Sequence, residues 1–462
     1  MCHAGEHRAT SQHVVLPFRY TPRLRGKAVG KTPIPRVAVH DDAEAFPTDC
    51  LHSYRATEHP EKSHPRKKLV ADGRVLYKYL ISRKTVSRVQ ESRRRRGLLR
   101  MVPVKLWSEK QKNSSVKETA ESVLRYGSRE AVAYAASRLN ATYGSTLRVL
   151  NEIAVRDSKF HPETMLDFGS GLGTAVWAAH NLWGESLYEV QTVDTSGEMG
   201  EMARLLRQAE EEEEGGREAI TGVYFRQYLP TSNKVQYDLV TSCYVLGDIA
   251  SHGIKKLSLA ALWRKTKNYL VLVELGNDTG FRNILEARDM ILDAPNWITN
   301  DSASASTDHD IEDTLEGHVF APCPHSHRCP LMTAAGATDE GATKATMGGP
   351  CRFGQRVALD LSNREILKHK GHNIEAFSYV ILKKGRHDPS NERYSRLLSP
   401  VKKRSRHVLT QQCCPDGSAR QVIYTKSKDG TVYRLAREGN WGDMLPYSED
   451  GEHSDTHTPA AD

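Results

Sequence analysis

The sequence predicts an α/β chain built on a doubly wound, Rossmann-like sheet, and three observations carry that prediction. A buried strand at 165–168 breaks into a glycine-rich turn and the first turns of a helix; strand-sized and helix-sized apolar segments alternate after it; and an acidic residue, Asp194, closes the next strand. The turn has the form D-x-G-x-G-x-G at Asp167, Gly169, Gly171 and Gly173. Missing β-carbons let the backbone approach a ligand, and the helix N-terminus receives it. Asp194 stands where a carboxylate accepts hydrogen bonds from ribose hydroxyls. A dinucleotide fold usually carries G-x-G-x-x-G with a pyrophosphate at the helix start, whereas an acid before the first glycine suits the cationic methionine end of S-adenosylmethionine. The sheet is therefore expected to be of the class I S-adenosylmethionine methyltransferase type.

The remaining elements follow in order. From Ser128 to Ile153, the residues Ala131, Ala135, Leu139, Leu147, Leu150 and Ile153 give a helical apolar pattern that leads into the glycine turn. Strands are expected at 189–193, 237–242 and 269–274, with helices near 198–214 and 254–266 between them, an order that implies a doubly wound sheet. The glutamate run at 210–214 before Gly215-Gly216 reads as a solvated loop or helix end, and the small polar stretches 302–307 and 333–349 as disordered insertions.

Composition narrows the function classes. With 462 residues and 38% hydrophobic content the chain holds at least one substantial core, so it is not disordered throughout. The longest apolar run, Tyr269-Leu-Val-Leu-Val273, is strand-sized, which argues against membrane insertion. A formal charge of +8 favours polyanionic partners. The charge is concentrated at 83–100, where Arg83, Lys84, Arg88, Arg93, Arg94, Arg95, Arg96 and Arg100 face only Glu91, a candidate contact for an RNA backbone or else a solvated basic helix. The first forty residues are basic in the manner of a mitochondrial transit peptide, although Pro17, Pro22, Pro33 and Pro35 interrupt any long amphipathic helix.

Eight cysteines without a secretory leader point to metal or cluster ligands rather than disulfides. They gather in loops bounded by proline and glycine: Pro322-Cys323-Pro-His325-Ser-His327-Arg-Cys329-Pro, then Pro350-Cys351, then Cys413-Cys414-Pro. The five residues between Cys323 and Cys329 exceed the usual structural zinc spacing and suit a larger iron–sulfur cluster, with zinc as the alternative. His325 and His327 are read as loop polarity facing solvent or RNA, with zinc ligation as the other reading.

Taken together, Tyr134-Ala-Ala-Ser-Arg138-Leu-Asn-Ala-Thr-Tyr143, the turn at 166–173, Tyr237-Asp-Leu-Val240 with Leu246-Gly247-Asp248, Leu272-Val-Glu274 with Gly280-Phe281, the Cys-Pro-His run, Phe377-Ser-Tyr379 and Trp441-Gly-Asp443 resemble the mitochondrial methyltransferase-like protein 17 family. The resemblance covers roughly 125–446 and rests on the ordered set of motifs. It implies an assembly factor for the mitochondrial small ribosomal subunit, with rRNA and ribosomal proteins as partners and the mitochondrial matrix as its location. It further implies S-adenosylmethionine at Asp167, Gly169, Gly171, Gly173 and Asp194, and a 4Fe-4S cluster on Cys323, Cys329, Cys351 and a fourth thiol. Cys414, which precedes a Pro-Asp-Gly turn, is the expected fourth ligand and Cys413 the reserve. The expected organisation is a basic extension (1–110), a helical region (111–160), a methyltransferase-like domain (161–386) with a cysteine-rich insertion (317–356), a C-terminal module (387–446) and an acidic tail (447–462).

Retained methyl transfer is a separate matter, and an active rRNA methyltransferase is the alternative function. Amino-group methyltransferases typically present D/N-P-P-Y/F after the fourth strand; Ser242-Cys243-Tyr244-Val245 stands there instead. Cys243 lacks the Pro-Cys or Thr-Cys context of a cytosine-attacking thiolate and is read as a packed residue. Glu274 either contacts substrate or caps a neighbouring turn. Gln227 and Tyr228 follow the third strand where an acidic adenine contact is common, which predicts weakened cofactor binding.

Overall fold

The computed structural model describes residues 71–74, 76, 126–207, 220–230, 235–249, 251–298, 315–333, 349–359, 371–387 and 394–447. The N-terminal basic segment, the arginine cluster at 83–100, the glutamate run, the stretches 302–307 and 334–348 and the tail after Tyr447 lie outside the described residues.

A long helix, α1 (Ser128–Arg156), precedes the sheet. Ala131, Val132, Ala135 and Ala136 on one of its faces meet Leu172, Met199 and Met202, while Leu147, Leu150 and Ile153 pack with Met165, Val271 and Ile381 of the sheet. Small side chains at helical spacing let α1 lie close to its neighbours. Three of its buried hydroxyls are satisfied within the helix: Ser137, Thr142 and Ser145 donate to carbonyls four residues back at 2.8, 2.9 and 2.8 Å.

The main sheet follows as β1 (Thr164–Phe168), α2 (Thr174–Trp183), β2 (Glu189–Val193), α3 (Gly197–Arg207), β3 (Val223–Arg226), β4 (Tyr237–Cys243), α4 (His252–Lys265), β5 (Thr266–Leu275) and α5 (Asp278–Leu292). Short helices α6 (Ala294–Ile298) and α7 (Pro330–Thr333) flank β6 (Gly317–Ala321), and β7 (Phe353–Val357) and the twelve-residue β8 (Asn373–Lys384) complete the sheet. Strand order is β3-β2-β1-β4-β5-β8-β6. The first five strands are parallel, and β8 runs antiparallel between β5 and β6. Each face carries its own apolar layer, one around Leu147, Leu150 and Tyr269, the other around Leu166, Leu259 and Trp263. This is the doubly wound, methyltransferase-type sheet with preceding helix that the alternating segments predicted.

The outer edge of β8 is shared by two strands. Residues 373–377 pair with β7 and residues 381–384 with β6, so Ser378, Tyr379 and Val380 lie at a break between them. The cysteine-rich segment leaves and re-enters the sheet at that break; the expected insertion at 317–356 thus begins and ends in strands of the main sheet. Beyond it, β9 (Tyr394–Leu397), β10 (Lys402–Lys403), β11 (His407–Cys413), β12 (Ala419–Thr425), α8 (Gly430–Glu438) and β13 (Met444–Pro446) build a second sheet of five strands.

Buried charge joins the two sheets. The fully buried Arg396 of β9 pairs with Glu152 of α1 and donates to the carbonyls of Pro322 and Gly442 at 2.9 and 2.8 Å. Tyr379 of β8 donates to the other Glu152 oxygen at 2.7 Å. Burial pushes the Glu152 carboxyl up, but the Arg396 and Arg156 guanidiniums outweigh it and hold the group below the ordinary carboxylate range. Glu152→Gln leaves a buried guanidinium uncompensated, and the expected loss of unfolding free energy at neutral pH is about 3–5 kcal/mol. A depressed native pKa contributes stability above the unfolded value of about 4.3 that disappears as pH falls through the native value. Denaturant titrations of both proteins should therefore differ fully at pH 7 and converge on strong acidification; a difference that persists there assigns the effect to packing instead.

Candidate functional site

The glycine turn at the C-terminal end of β1 has the geometry its residue types require. Gly169, Gly171 and Gly173 all adopt left-handed φ, at 69°, 51° and 73°. A β-carbon on Gly169 would also lie 2.2 Å from Val245 Cγ2, so that position is closed to larger residues twice over. Asp194 ties the turn to the end of β2: its Oδ2 accepts from Gly171 N at 2.8 Å and its Oδ1 from Ser196 N at 2.9 Å. Each oxygen retains one further acceptor position. Asp167 is buried beneath the turn, with Oδ1 accepting from Thr241 Oγ1 at 2.6 Å and Oδ2 lacking a hydrogen-bond partner among the described residues. Burial pushes its carboxyl up to about 7, against the Thr241 hydrogen bond and with help from the Asp194 charge. A buried carboxylate oxygen without a donor, beside a turn that excludes side chains, fits a cationic ligand group.

The segment after β4 lies over this turn. Tyr244 takes a left-handed φ of 65°, its hydroxyl is 2.7 Å from Ser145 Oγ on α1, and its ring sits 5.4 Å from the Arg138 guanidinium. Arg138 in turn makes a bidentate pair with Glu375 of β8 at 2.8 and 3.2 Å. Glu274 accepts from Gly247 N at 3.1 Å, which makes it a cap for the neighbouring turn. Cys243 ends β4; burial and the nearby Asp167 and Glu274 charges push its thiol far above the usual range, the opposite of what a nucleophile needs. Tyr228, after β3, is 78% exposed.

The cysteines converge at the break in the β8 edge. Cys323, Cys329, Cys351 and Cys413 line one cavity together with Phe281, Ile284 and Leu285 of α5 and the guanidiniums of Arg288 and Arg396. Ser378 fixes the last loop by donating to Cys351 O at 2.7 Å. Cys413, the reserve ligand of the sequence reading, lines this cavity, whereas Cys414, the expected fourth ligand, does not. Cys413 pairs across the ladder with Arg396, whereas Cys414 is the first residue of the turn, with its N–H bonded to Ser418 O at 2.9 Å and its side chain off the cavity. Among the described residues no three His, Cys, Asp or Glu side chains lie close enough to hold a single metal ion.

The histidines of the Cys-Pro-His run divide. His327 is exposed, as expected, but His325 is buried, with Nε2 3.2 Å from Cys413 Sγ. Burial and Arg288 push its ring down to about 4, so it stays neutral. Arg288, whose role sequence reasoning missed, donates to the carbonyls of His325 and His327 at 3.4 and 2.6 Å and so orders the loop. The Cys323 thiol falls to about 7 because Cys413 hydrogen-bonds to it, with Arg288 and Arg396 adding against burial. In the metal-free protein Cys323 should react with iodoacetamide well before Cys243, a ranking peptide mass spectrometry reads directly; Cys243 reacting first would contradict both environments.

The strand order, the glycine turn and Asp194 together define a Rossmann-like fold of the S-adenosylmethionine methyltransferase type. Residues 128–446 match the family described as mitochondrial small ribosomal subunit Rsm22, and the chain belongs to that family. It is 36% identical over 325 residues to the human mitochondrial ribosome assembly protein METTL17, covering 70% of this chain and 64% of that protein, a little under two thirds of the relative's length. It is 22% identical to the Saccharomyces cerevisiae mitochondrial ribosome assembly protein RSM22, covering 68% and 67%. Magnesium protoporphyrin IX methyltransferase from Synechocystis, solved with bound S-adenosylmethionine, aligns at 14% identity with a TM-score of 0.25 over 36% of this chain and 73% of that one, a likeness too distant to carry function. Four curated relatives, from human and two yeasts, are mitochondrial proteins, and the chain is accordingly mitochondrial.

Proposed function

We propose that this chain is an assembly factor of the mitochondrial small ribosomal subunit that binds rRNA in the matrix, with an S-adenosylmethionine site and a 4Fe-4S cluster as structural elements. The observation that carries the reading is family membership over 128–446, a span that contains both the glycine turn and all four cavity thiols. The human and S. cerevisiae relatives are ribosome assembly proteins.

For the methyl donor, Asp167 and the left-handed glycines supply the fit: an acceptor without a donor for the cationic end, and a side-chain-free approach for the rest. Asp194 offers its remaining acceptor positions to the ribose. When bound, S-adenosylmethionine supplies an electrophilic methyl group. The chain's own residues do little to use it: Cys243 is held protonated, Glu274 is engaged with Gly247, and Tyr244 and Val245 stand in place of the amide-orienting residues of amino-group methyltransferases. These features support an assembly role over catalysis. Asp194→Ala should weaken S-adenosylmethionine binding by about 1–3 kcal/mol, read by calorimetry; unchanged affinity in a folded variant removes Asp194 from the site.

For the cluster, the fit rests on four thiols sharing one cavity with two guanidiniums that oppose thiolate charge. A single zinc needs its ligands to converge on one point, whereas an iron–sulfur cluster spans thiolates from separated loops. Cys323, Cys329, Cys351 and Cys413 would hold it, and His325 would face the Cys413 sulfur. When bound, the cluster supplies cross-links between the β8 edge and β11, and its binding free energy adds to folding. Anaerobically purified protein should carry iron, labile sulfide and a brown chromophore, and should co-sediment with small-subunit precursors. Cys413→Ser should lose the chromophore and the co-sedimentation, while Cys414→Ser keeps both. Stoichiometric zinc without iron rules out the cluster, and wild-type protein that ignores precursors rules out the assembly role.

A further inference from the structure

The second sheet carries an unneutralised basic edge. At one end of it, β10 and β11 are joined by a tight turn closed by Arg404 N donating to His407 O at 2.9 Å. The turn between β12 and α8 lies against it, because Lys426 N donates to Arg406 O at 2.9 Å. These two adjoining turns and β10 present Lys402, Lys403, Arg404, Arg406, Lys426 and Lys428, all exposed. No carboxylate pairs with any of the six among the described residues. The nearby Asp429 is half-buried and turned onto the backbone, where it accepts from Thr425 N and from Thr425 Oγ1. The contrast with Arg420 on the same sheet, which is paired with Asp416, is local and specific.

The platform beneath these cations is fixed. Arg437 Nη1 of α8 donates to Arg404 O at 2.7 Å, and Asp429 N to Thr425 O at 3.0 Å, so both turns are held before any partner arrives. Beside Lys402 the ladder places Leu409 and then Ile423, and Ile423 is 51% exposed. Closely spaced cations without counter-charges, next to a small apolar surface, match the phosphate-and-sugar backbone of a nucleic acid. Long Lys and Arg stems on a rigid scaffold reach several phosphates without ordering a loop on binding.

We propose that this edge of the second sheet is an RNA-backbone binding surface, contacting several phosphates through the six cations without reading sequence. The proposal rests on the rRNA-binding reading above and locates it in the folded C-terminal module, apart from the arginine cluster at 83–100.

The test uses the full chain and a fluorescein-labelled RNA stem-loop, followed by anisotropy over a salt series. One variant combines Lys402→Gln, Lys403→Gln, Arg404→Gln and Arg406→Gln; a second combines Lys426→Gln and Lys428→Gln; a third, Arg404→Lys with Arg406→Lys, keeps the charge. Losing four phosphate contacts should flatten the slope of log K against log salt by about 3, and losing two by about 1.5, with affinity at low salt falling at least about tenfold in the first case. The charge-keeping variant should retain the wild-type slope. Wild-type affinity and slope in the four-fold variant overturn this surface while leaving RNA binding intact. No RNA binding by wild type overturns the rRNA reading itself. Variants that keep RNA affinity but lose association with subunit precursors assign the edge to a protein partner and overturn the proposal as well.

Discussion

Arg396 is the point on which the molecule's two sheets depend. A guanidinium with no exposed surface is tolerated only when it is paired and its donors are used. Here the pair is Glu152, in the last turns of α1, and the remaining donors reach Pro322 O, where the cysteine-rich segment starts, and Gly442 O, just before β13. One side chain therefore fixes the helix, the thiol loop and the second sheet in a common frame. Its neighbours on α1 repeat the device. Arg148 donates to Gly354 O and Trp441 O, and Arg156 to Phe320 O at 2.7 Å, so the helix grips β6, β7 and the C-terminal module at successive turns. Removing Arg396 alone would leave Glu152 with only Arg156 and Tyr379 as partners and release the two segments held at Pro322 O and Gly442 O together.

The thiol cavity inherits its shape from this frame. Cys413 is placed by the β9–β11 ladder opposite Arg396, Cys351 by the Ser378 hydroxyl, and Cys323 follows the carbonyl that Arg396 holds. The same guanidinium that organises the backbone also lines the cavity and opposes thiolate charge. Formation of the second sheet thus brings the strand-held Cys413 and the Arg396 guanidinium to the same cavity as the loop thiol Cys323.

Local signals in the sequence were sufficient for the parallel part of the main sheet, but not for its antiparallel strands β6, β7 and β8. The strand expected at 189–193 is β2, the helix expected from Ser128 is α1, and the glycine turn has the positive φ values its composition implied. What depended on long-range pairing was not legible. β11 alternates buried and half-buried residues, but its buried positions include Thr410 and Gln412, whose polarity hides the period-two pattern. Without that pattern the face of Cys413 could not be told from that of Cys414. The burial of Arg396 left no signal in the sequence, and His325 read as loop polarity, because burial by partners more than 80 residues away leaves no trace in local spacing. The basic residues at 402–406 and 426–428 lie twenty positions apart in the sequence, and only the Lys426–Arg406 backbone bond shows that they adjoin.

The glycine turn and the thiol cavity are linked through α1 and β8. In the middle turns of the helix, Ser145 holds the Tyr244 hydroxyl, and Arg138 lies against the Tyr244 ring while pairing with Glu375 of β8. In the turns that follow, Arg148 and Glu152 reach β7, Tyr379 of β8 and Arg396. β8 thus carries one partner of each group, Glu375 toward the post-β4 segment and Tyr379 toward the thiols. A shift of β8 along its own axis would disturb both, since residues 373–384 are pinned on one edge by β5 and on the other by β6 and β7. That arrangement favours rigidity over the loop motion that substrate entry to a methyltransferase commonly uses. It fits the proposed function, in which the cofactor turn is a structural part of a docking body.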